Sequence, residues 1–306
     1  MDNTTLSPCR PIIVLGVHRS GTSLVSDLIV QWGAFPGDLS LHPPTNQHNP
    51  RGFFEYGPLI DLMMELAETA PSWPMSREFE EHLRNQAYVA SFREKALQLV
   101  AGMETQGSPW VWKEPNLPPY LLFWQRIWKA PIYVVTVRNP YDSGKSFEKM
   151  FLRPELRGKI RLLANFCLLW QGTLLTILER MDDQPAVLYV PYEELLRHPA
   201  EHCERLCDFL DLHTGSTSGR EERLRPMIEA VDPALWRNRS SESFFNAPEV
   251  SEEQKELYRF LQRKTEGRAE PFDPARFPMP PGSEEYLENF QVFKSLMLEE
   301  TARQRR

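Results

Sequence analysis

The stretch VLGVHRSGTS, residues 14–23, constrains this chain more than any other. It opens with Pro11-Ile12-Ile13-Val14-Leu15, a short apolar, β-branched run of the kind that forms a strand buried on both faces. A turn carrying Gly16 and Gly21 follows, and residues 24–30 then repeat apolar side chains at helical spacing. Strand, glycine-bearing loop and helix in this order is the arrangement of a P-loop. Successive backbone N–H groups and the positive end of the helix dipole make such a corner a seat for a phosphate-like anion. The spacing fits G-x-x-x-x-G-K-[ST] except at one position. Thr22 stands where the lysine belongs, Ser23 holds the Ser/Thr position, and the cation is displaced to Arg19 inside the loop. A loop without its lysine is poorly built for a magnesium nucleoside triphosphate. The competing reading of this stretch by itself is an ordinary β–α turn.

A chain of 306 residues is long enough for one large α/β domain with a sizeable core. A net charge of −7 argues against a nucleic-acid binder, while leaving room for a local basic pocket. The four cysteines, Cys9, Cys167, Cys203 and Cys207, lack zinc-site spacing and read as buried thiols, with nothing that calls for an oxidising compartment. The first ten residues lack the basic and apolar regions of a signal peptide. The most apolar run, residues 162–178, is broken by Asn165, Gln171 and Thr173 and is too short to span a bilayer, so it reads as a central core helix. These features point to the cytoplasm.

Further strands are expected at 110–112, 131–137 and 186–190, and helices at 58–66, 79–100, 121–128, 141–150, 160–181, 192–196, 203–212, 252–265 and 284–302. Residues 33–57, rich in Pro, His, Asn and Gly, form a long loop of the kind that carries function. Residues 214–222 read as a polar connection and 271–281 as a Pro-rich one. Strands separated by helices imply a mainly parallel sheet covered on both faces. In such a sheet ligands bind beyond the carboxyl ends of the strands. Here those ends deliver His18 to Ser23, then Lys113-Glu114, then Arg138 followed by Asp142, Ser143, Lys145 and Ser146. A Walker-type site would place an Asp for magnesium after the apolar strand. PIYVVTV ends instead in Arg138, so the site gathers cations and hydroxyls suited to an anion with two separated phosphate-like groups.

Four segments together resemble the sulfotransferases that use 3′-phosphoadenosine 5′-phosphosulfate (PAPS). HRSGTSL is similar to the loop that binds the 5′-phosphosulfate. VVTVRNPYDSGKS resembles R-[ND]-P-x-D-x-x-x-S, whose Arg and Ser bind the 3′-phosphate and map to Arg138 and Ser146. VLYVPYEELLRHPAEHCERLCDFLDL resembles the Y-E-D-L segment and the helix after it. NPRGFFE, residues 49–55, resembles the N-P-x-G-[FY]-[FW]-E stretch of bacterial members. The resemblance covers roughly residues 10–212. It implies a P-loop-like α/β fold with a short, mainly parallel sheet, helical insertions and a C-terminal helical lid. It also implies one domain over 1–306, with a nucleotide-binding core of about 10–212 and the lid over about 213–306.

The same resemblance assigns roles. Arg19, Ser20, Gly21, Thr22 and Ser23 hold the phosphosulfate, and Arg138 and Ser146 hold the 3′-phosphate. Lys113 lies where cytosolic members have the Lys of K-T-H, and it neutralises charge on the transferring group. Pro115 replaces the histidine of that motif, so the base comes from elsewhere. Glu55 fits the position that members acting on sugars or tyrosine use, with His48, His42 and Glu114 as rivals. Glu55 could equally cap the helix that follows it. The C-terminal R-K-G-x-x-G-x-W-K signature is missing, and Arg237 and Arg239 are candidates to replace it. The expected reaction is sulfuryl transfer from PAPS to a hydroxyl, or an amine, of a small-molecule or glycan acceptor. It needs no metal, nucleic acid or membrane span. The alternatives are a P-loop kinase of small molecules and a non-catalytic nucleotide-binding protein.

Overall fold

The computed structural model describes residues 10–45, 51–70, 72, 74–151, 162–216, 219–235, 244–283, 285 and 287. At its centre lies β1 (Ile12–Leu15), parallel to β2 (Val111–Lys113) on one side and to β3 (Ile132–Val137) on the other. Strand β4 (Val187–Pro191) is parallel to β3 beyond it, giving the order β2-β1-β3-β4. Parallel neighbours need long crossovers. Between β1 and β2 these are α1 (Thr22–Trp32), α2 (Gly57–Thr69), α3 (Arg77–Arg84) and α4 (Gln86–Gln106). The short α5 (Leu121–Trp124) joins β2 to β3, and α6 (Pro140–Phe151) and α7 (Leu162–Met181) join β3 to β4. After β4 come α8 (Tyr192–Arg197), α9 (Pro199–Thr214), α10 (Arg220–Ala230) and α11 (Glu252–Thr265). This is the expected α/β class, a short parallel sheet flanked by helices.

The continuous apolar runs of β1 and β3 follow from burial on both faces. Ile13, Leu15, Tyr133 and Val135 pack into a core with Phe166, Trp170 and Ile177 of α7 and the rings of Trp112 and Trp124. Ile12, Val14, Ile132 and Val134 face the other way, against Val25, Leu28 and Ile29 of α1 and Leu206 and Leu210 of α9. Helix α7 is long and apolar enough to cross a membrane by length and composition alone, yet most of its residues are buried inside the protein. Its Gln171 is satisfied there, donating to Pro278 O at 3.0 Å and accepting from Gln254 Nε2 of α11 at 3.2 Å. The C-terminal segment thus contributes Phe244, Leu257, Phe260 and Phe277 to the main core.

The helix read over 121–128 ends at Trp124, the one read over 203–212 starts earlier, at Pro199, and two stretches differ in kind. The helix read over 79–100 is two, because the Asn85 side chain accepts from the Ala87 and Tyr88 amides (3.1 and 3.3 Å) and starts α4 afresh. The polar connection read over 214–222 gives way at Arg220 to α10, which buries Leu224, Met227 and Ala230 beside α1. Helix α11 has the expected bounds and opens with a Ser251–Gln254 capping box. Cys167, Cys203 and Cys207 are free, buried thiols. Burial pushes the first two up to about 12 and Cys207 up to about 11, so all three are inert at neutral pH. Cys9 and most of the helix read over 284–302 lie outside the described residues.

The sheet order fixes where a ligand can bind. From β1 the chain passes to β2 on one side and later to β3 on the other, so the crossovers diverge above the carboxyl ends of β1 and β3 and leave a crevice there.

Candidate functional site

The loop from Gly16 to Gly21 occupies that crevice. The Ser20 amide and hydroxyl both donate to Val17 O, at 3.1 and 2.7 Å. Ser20 Oγ also lies 2.8 Å from Thr136 Oγ1, so the one polar residue of β3 fastens the loop to the neighbouring strand. A Cβ on Gly16 would sit 2.2 Å from that same hydroxyl, which excludes any side chain there. Arg19 (φ 65°) and Gly21 (φ 94°) turn the chain back through left-handed conformations. Gly21 is the N-cap of α1 and brings no capping side chain, and the first helical turn holds no acid. The positive end of α1 therefore faces the loop uncapped by side chains, as an anion seat requires.

Arg138 follows the end of β3 and is 5% exposed. Its Nη1 donates to Arg19 O at 2.8 Å, and its guanidinium lies 4.5 Å from the Tyr192 ring centroid. Its Nε is buried with no partner among the described residues. Arg19 Nε in turn donates to Ser146 Oγ of α6 at 3.1 Å. Residues read from two separate motifs, Arg19 from one and Arg138 and Ser146 from the other, are therefore in contact.

A buried acid, Glu193, holds the next residue of the same corner. Glu193 Oε1 accepts from the Asn139 amide and from Asn139 Nδ2 (3.2 and 3.0 Å), while Asn139 Oδ1 accepts from the Asp142 amide at 2.8 Å. Burial raises the Glu193 carboxyl above its ordinary range; Arg138 and the Asn139 amide oppose that rise, and Asp142 adds to it. Trp170 Nε1 donates to Arg138 O at 2.9 Å. The Arg-Asn-Pro corner is thereby tied at its backbone and through the Asn139 side chain.

Lys113 ends β2 with its side chain 1% exposed and forms an ion pair with Glu55 Oε1. The N-cap of α2 is Tyr56 and receives no side-chain bond, so Glu55 meets Lys113 and does not cap the helix. The loop that delivers Glu55 is tied down in several places. Arg51 bridges to buried Asp27 of α1 at 2.8 Å, and Phe54 takes a positive φ of 57°. A Cβ on Gly57 would meet Leu41 O at 2.6 Å, and one on Gly37 would meet the Tyr56 ring at 2.6 Å. Of the rival bases, Glu114 is committed to the Asn116 amide and side chain (2.8 and 2.6 Å), and Asn116 Oδ1 accepts from His18 Nε2 at 3.0 Å. His42 sits within the Glu55 loop. His48, with Asn49 and Pro50, lies outside the described residues, as do Arg237 and Arg239.

Tyr192, Glu193, Thr136 and Asn116 are not among the residues the strand ends were expected to deliver, and His18 was expected there without a stated role. Thr136 had a visible signal as the single polar residue of an apolar strand. Tyr192 and Glu193 stood in a segment already noted for its resemblance. Among the described residues no group of three or more His, Cys, Asp or Glu side chains could hold a metal ion.

Comparison with known proteins gives a family. The model of the Sulfotransferase family matches residues 11–215, two thirds of the chain and the part that carries every element above up to α9. No curated protein matches. Among solved structures, the chain is similar to the sulfotransferase domain of the Synechococcus PCC 7002 olefin synthase, with 17% identity and TM-score 0.44, over 95% of this chain and 98% of that one. It is also similar to the sulfotransferase domain of the curacin biosynthetic pathway, with 19% identity and TM-score 0.46, over 92% and 98%. A third likeness is to a sulfotransferase of Mycobacterium avium, with 16% identity and TM-score 0.42, over 73% and 69%.

The loop geometry generates a stability prediction. An added Cβ at Gly21 would lie 2.1 Å from the Tyr192 ring, whereas at Gly33, also at positive φ, nothing lies within 4 Å. Gly33→Ala should lose only the left-handed backbone cost of about 1–2 kcal/mol. Gly21→Ala should lose about 1–3 kcal/mol more through overpacking. Urea unfolding of the two variants checks this, and equal losses would mean that the ring does not crowd the loop.

Proposed function

Since the chain belongs to the sulfotransferase family, we propose that it transfers a sulfuryl group from PAPS to the hydroxyl of a small-molecule or glycan acceptor, releasing adenosine 3′,5′-bisphosphate. The observation that carries the donor assignment is Arg138. A buried guanidinium with an unpartnered Nε, with Arg19 and Ser146 alongside, is a seat short of one anion. Residues 20–23, at the uncapped start of α1, are a second such seat. Two seats suit a donor with a 3′-phosphate and a 5′-phosphosulfate, and Tyr192 keeps the first rigid by stacking on Arg138.

Lys113 and Glu55 lie at the end of β2, on the other side of β1 from Arg138. The donor, when bound, supplies the activated sulfuryl group. Lys113 neutralises the charge that builds on the group in transit, and Glu55 takes the proton from the acceptor hydroxyl as the oxygen–sulfur bond forms. The pairing of Lys113 and Glu55 keeps a buried ammonium balanced until the acceptor arrives. With a loose transition state, positioning and charge neutralisation supply most of the rate, as in phosphoryl transfer. The kinase reading finds Arg138 where β3 would have to offer an acid for magnesium.

Two outcomes follow. Arg138→Ala should weaken adenosine 3′,5′-bisphosphate about ten- to a hundredfold, from the loss of about 1.5–3 kcal/mol of charge-assisted hydrogen bonding. It should leave adenosine 5′-phosphate nearly unaffected. If both ligands weaken equally, Arg138 serves the fold and not the 3′-phosphate. Glu55→Gln keeps an acceptor for Lys113 and removes the base, so turnover should fall about a hundred- to ten-thousandfold with nucleotide affinity intact. Sulfur-labelled PAPS with a panel of phenols, alcohols, amines and glycans reads this out. Near-normal turnover of the variant would place the base elsewhere, with His48 the next candidate.

A further inference from the structure

The loop that delivers Glu55 contains a histidine with an unusual pair of surroundings. His42 Nε2 lies 3.0 Å from Pro36 O. A carbonyl can only accept, so Nε2 carries a proton, and in the neutral ring Nδ1 holds the lone pair. Nδ1 is buried and has no partner among the described residues. The ring packs against Tyr56, centroids 5.8 Å apart. Tyr56 directly follows Glu55, is the N-cap of α2, and closes over Gly37 on the same turn that presents Pro36. One imidazole therefore bridges the start of the loop and its end.

We propose that His42 is a positioning residue for the Glu55–Lys113 pair: pinned to Pro36 and packed on Tyr56, its neutral ring fixes the backbone that sets Glu55 against Lys113. Its importance for turnover rests on the sulfuryl-transfer reading above, but its hold on the ion pair does not. The charged groups around it agree with a neutral ring. Burial lowers its pKa most, with Lys113 acting in the same direction, while the Pro36 carbonyl, Glu55 and Asp38 oppose; the net direction is down. A proton added at Nδ1 would have no acceptor and would put a second cation near Lys113.

The sign of the pH effect follows. The folded ring titrates below the unfolded value of about 6.5, so the unfolded chain binds more protons between the two. The stability that His42 contributes is complete above that value and falls as pH drops through the window below it. Ordering of Glu55 is lost lower still, below the folded pKa.

Histidine-ring NMR on the whole protein tests the contact without any turnover. His42 should show the Nε2–H tautomer and a pKa below the ordinary value. That pKa should fall further in Glu55→Gln and rise in Lys113→Met. An Nδ1–H tautomer, or a pKa that neither substitution moves, would overturn the proposal. With sulfur-labelled PAPS and an accepted hydroxyl, His42→Ala should lower kcat by about tenfold or more, as misplaced groups do, with acceptor KM and bisphosphate affinity near wild type. His42→Gln retains an N–H to meet Pro36 and cannot titrate, so it should restore much of kcat and move the acid limb of the pH profile to lower pH, leaving there only protonation of the base itself. Wild-type kcat in His42→Ala would overturn the positioning role. Should His42→Ala fail to fold, His42→Gln with an unchanged acid limb would overturn it equally. Absence of transfer by the wild type to any acceptor would count against the sulfuryl-transfer reading alone, and the NMR result would still decide the hold on the pair.

Discussion

The parallel register of β1 against β3 is the constraint from which the site follows. It sets Leu15 opposite Val135, so the loop leaving β1 falls beside Thr136 and then Arg138. The Ser20–Thr136 contact and the Arg138–Arg19 carbonyl bond are both inter-strand consequences of that register. Were β3 one residue out of step, Thr136 would point to the opposite face and the loop would lose its tie. Because each strand presents apolar side chains to both cores, the hydrophobic pattern alone does not set the register, and polar ties such as Ser20–Thr136 mark it.

Two buried cations are built into this frame: Lys113 forms an ion pair with an acid from a distant part of the chain, and the acid nearest Arg138 is bonded to Asn139 beside it. Arg138 has Glu193 at the start of α8, reached through Asn139, and Lys113 has Glu55 from the α1–α2 loop. Buried ion pairs return little net stability after desolvation. Their retention is understood through what they align: the guanidinium under the loop and the ammonium beside a carboxylate. In the proposed reaction these are fixed charges set before any ligand arrives, where electrostatic catalysis gains most.

Much of this could be read from the residues. The strands were legible because fully buried parallel strands are written as unbroken apolar runs, and α11 because its apolar stripe ends at clear polar boundaries. Helix α10 was not, because the Gly and Ser run before it suggests a connection while its buried stripe is only Leu224, Met227 and Ala230. The break at Asn85 was missed because a capping asparagine inside a helical pattern is a local signal that a long periodic stretch hides. In the site, Arg19, Ser20, Arg138 and Ser146 stood out through motif spacing, and the structure brings them together. Glu55 had two readings, helix cap or partner in the site, and only the fold separates them. The roles of Glu193 and His42 depend on contacts that spacing does not reveal: Glu193 meets Asn139 across 54 residues, and His42 acts through the packing of a loop on itself.

In the proposed function, the space beyond the carboxyl ends of β1 and β3 holds a nucleotide by two separate anionic groups, one of them on the 3′ side. Titration calorimetry of the wild-type protein in chelator with adenosine 3′,5′-bisphosphate and adenosine 5′-phosphate, and in magnesium with ATP, measures this directly. The bisphosphate should bind tightest, by about tenfold or more over the monophosphate, a difference of about 1.4 kcal/mol, and added magnesium should leave its affinity unchanged. Equal binding of the two adenosine phosphates, or tightest binding of magnesium ATP, would contradict it.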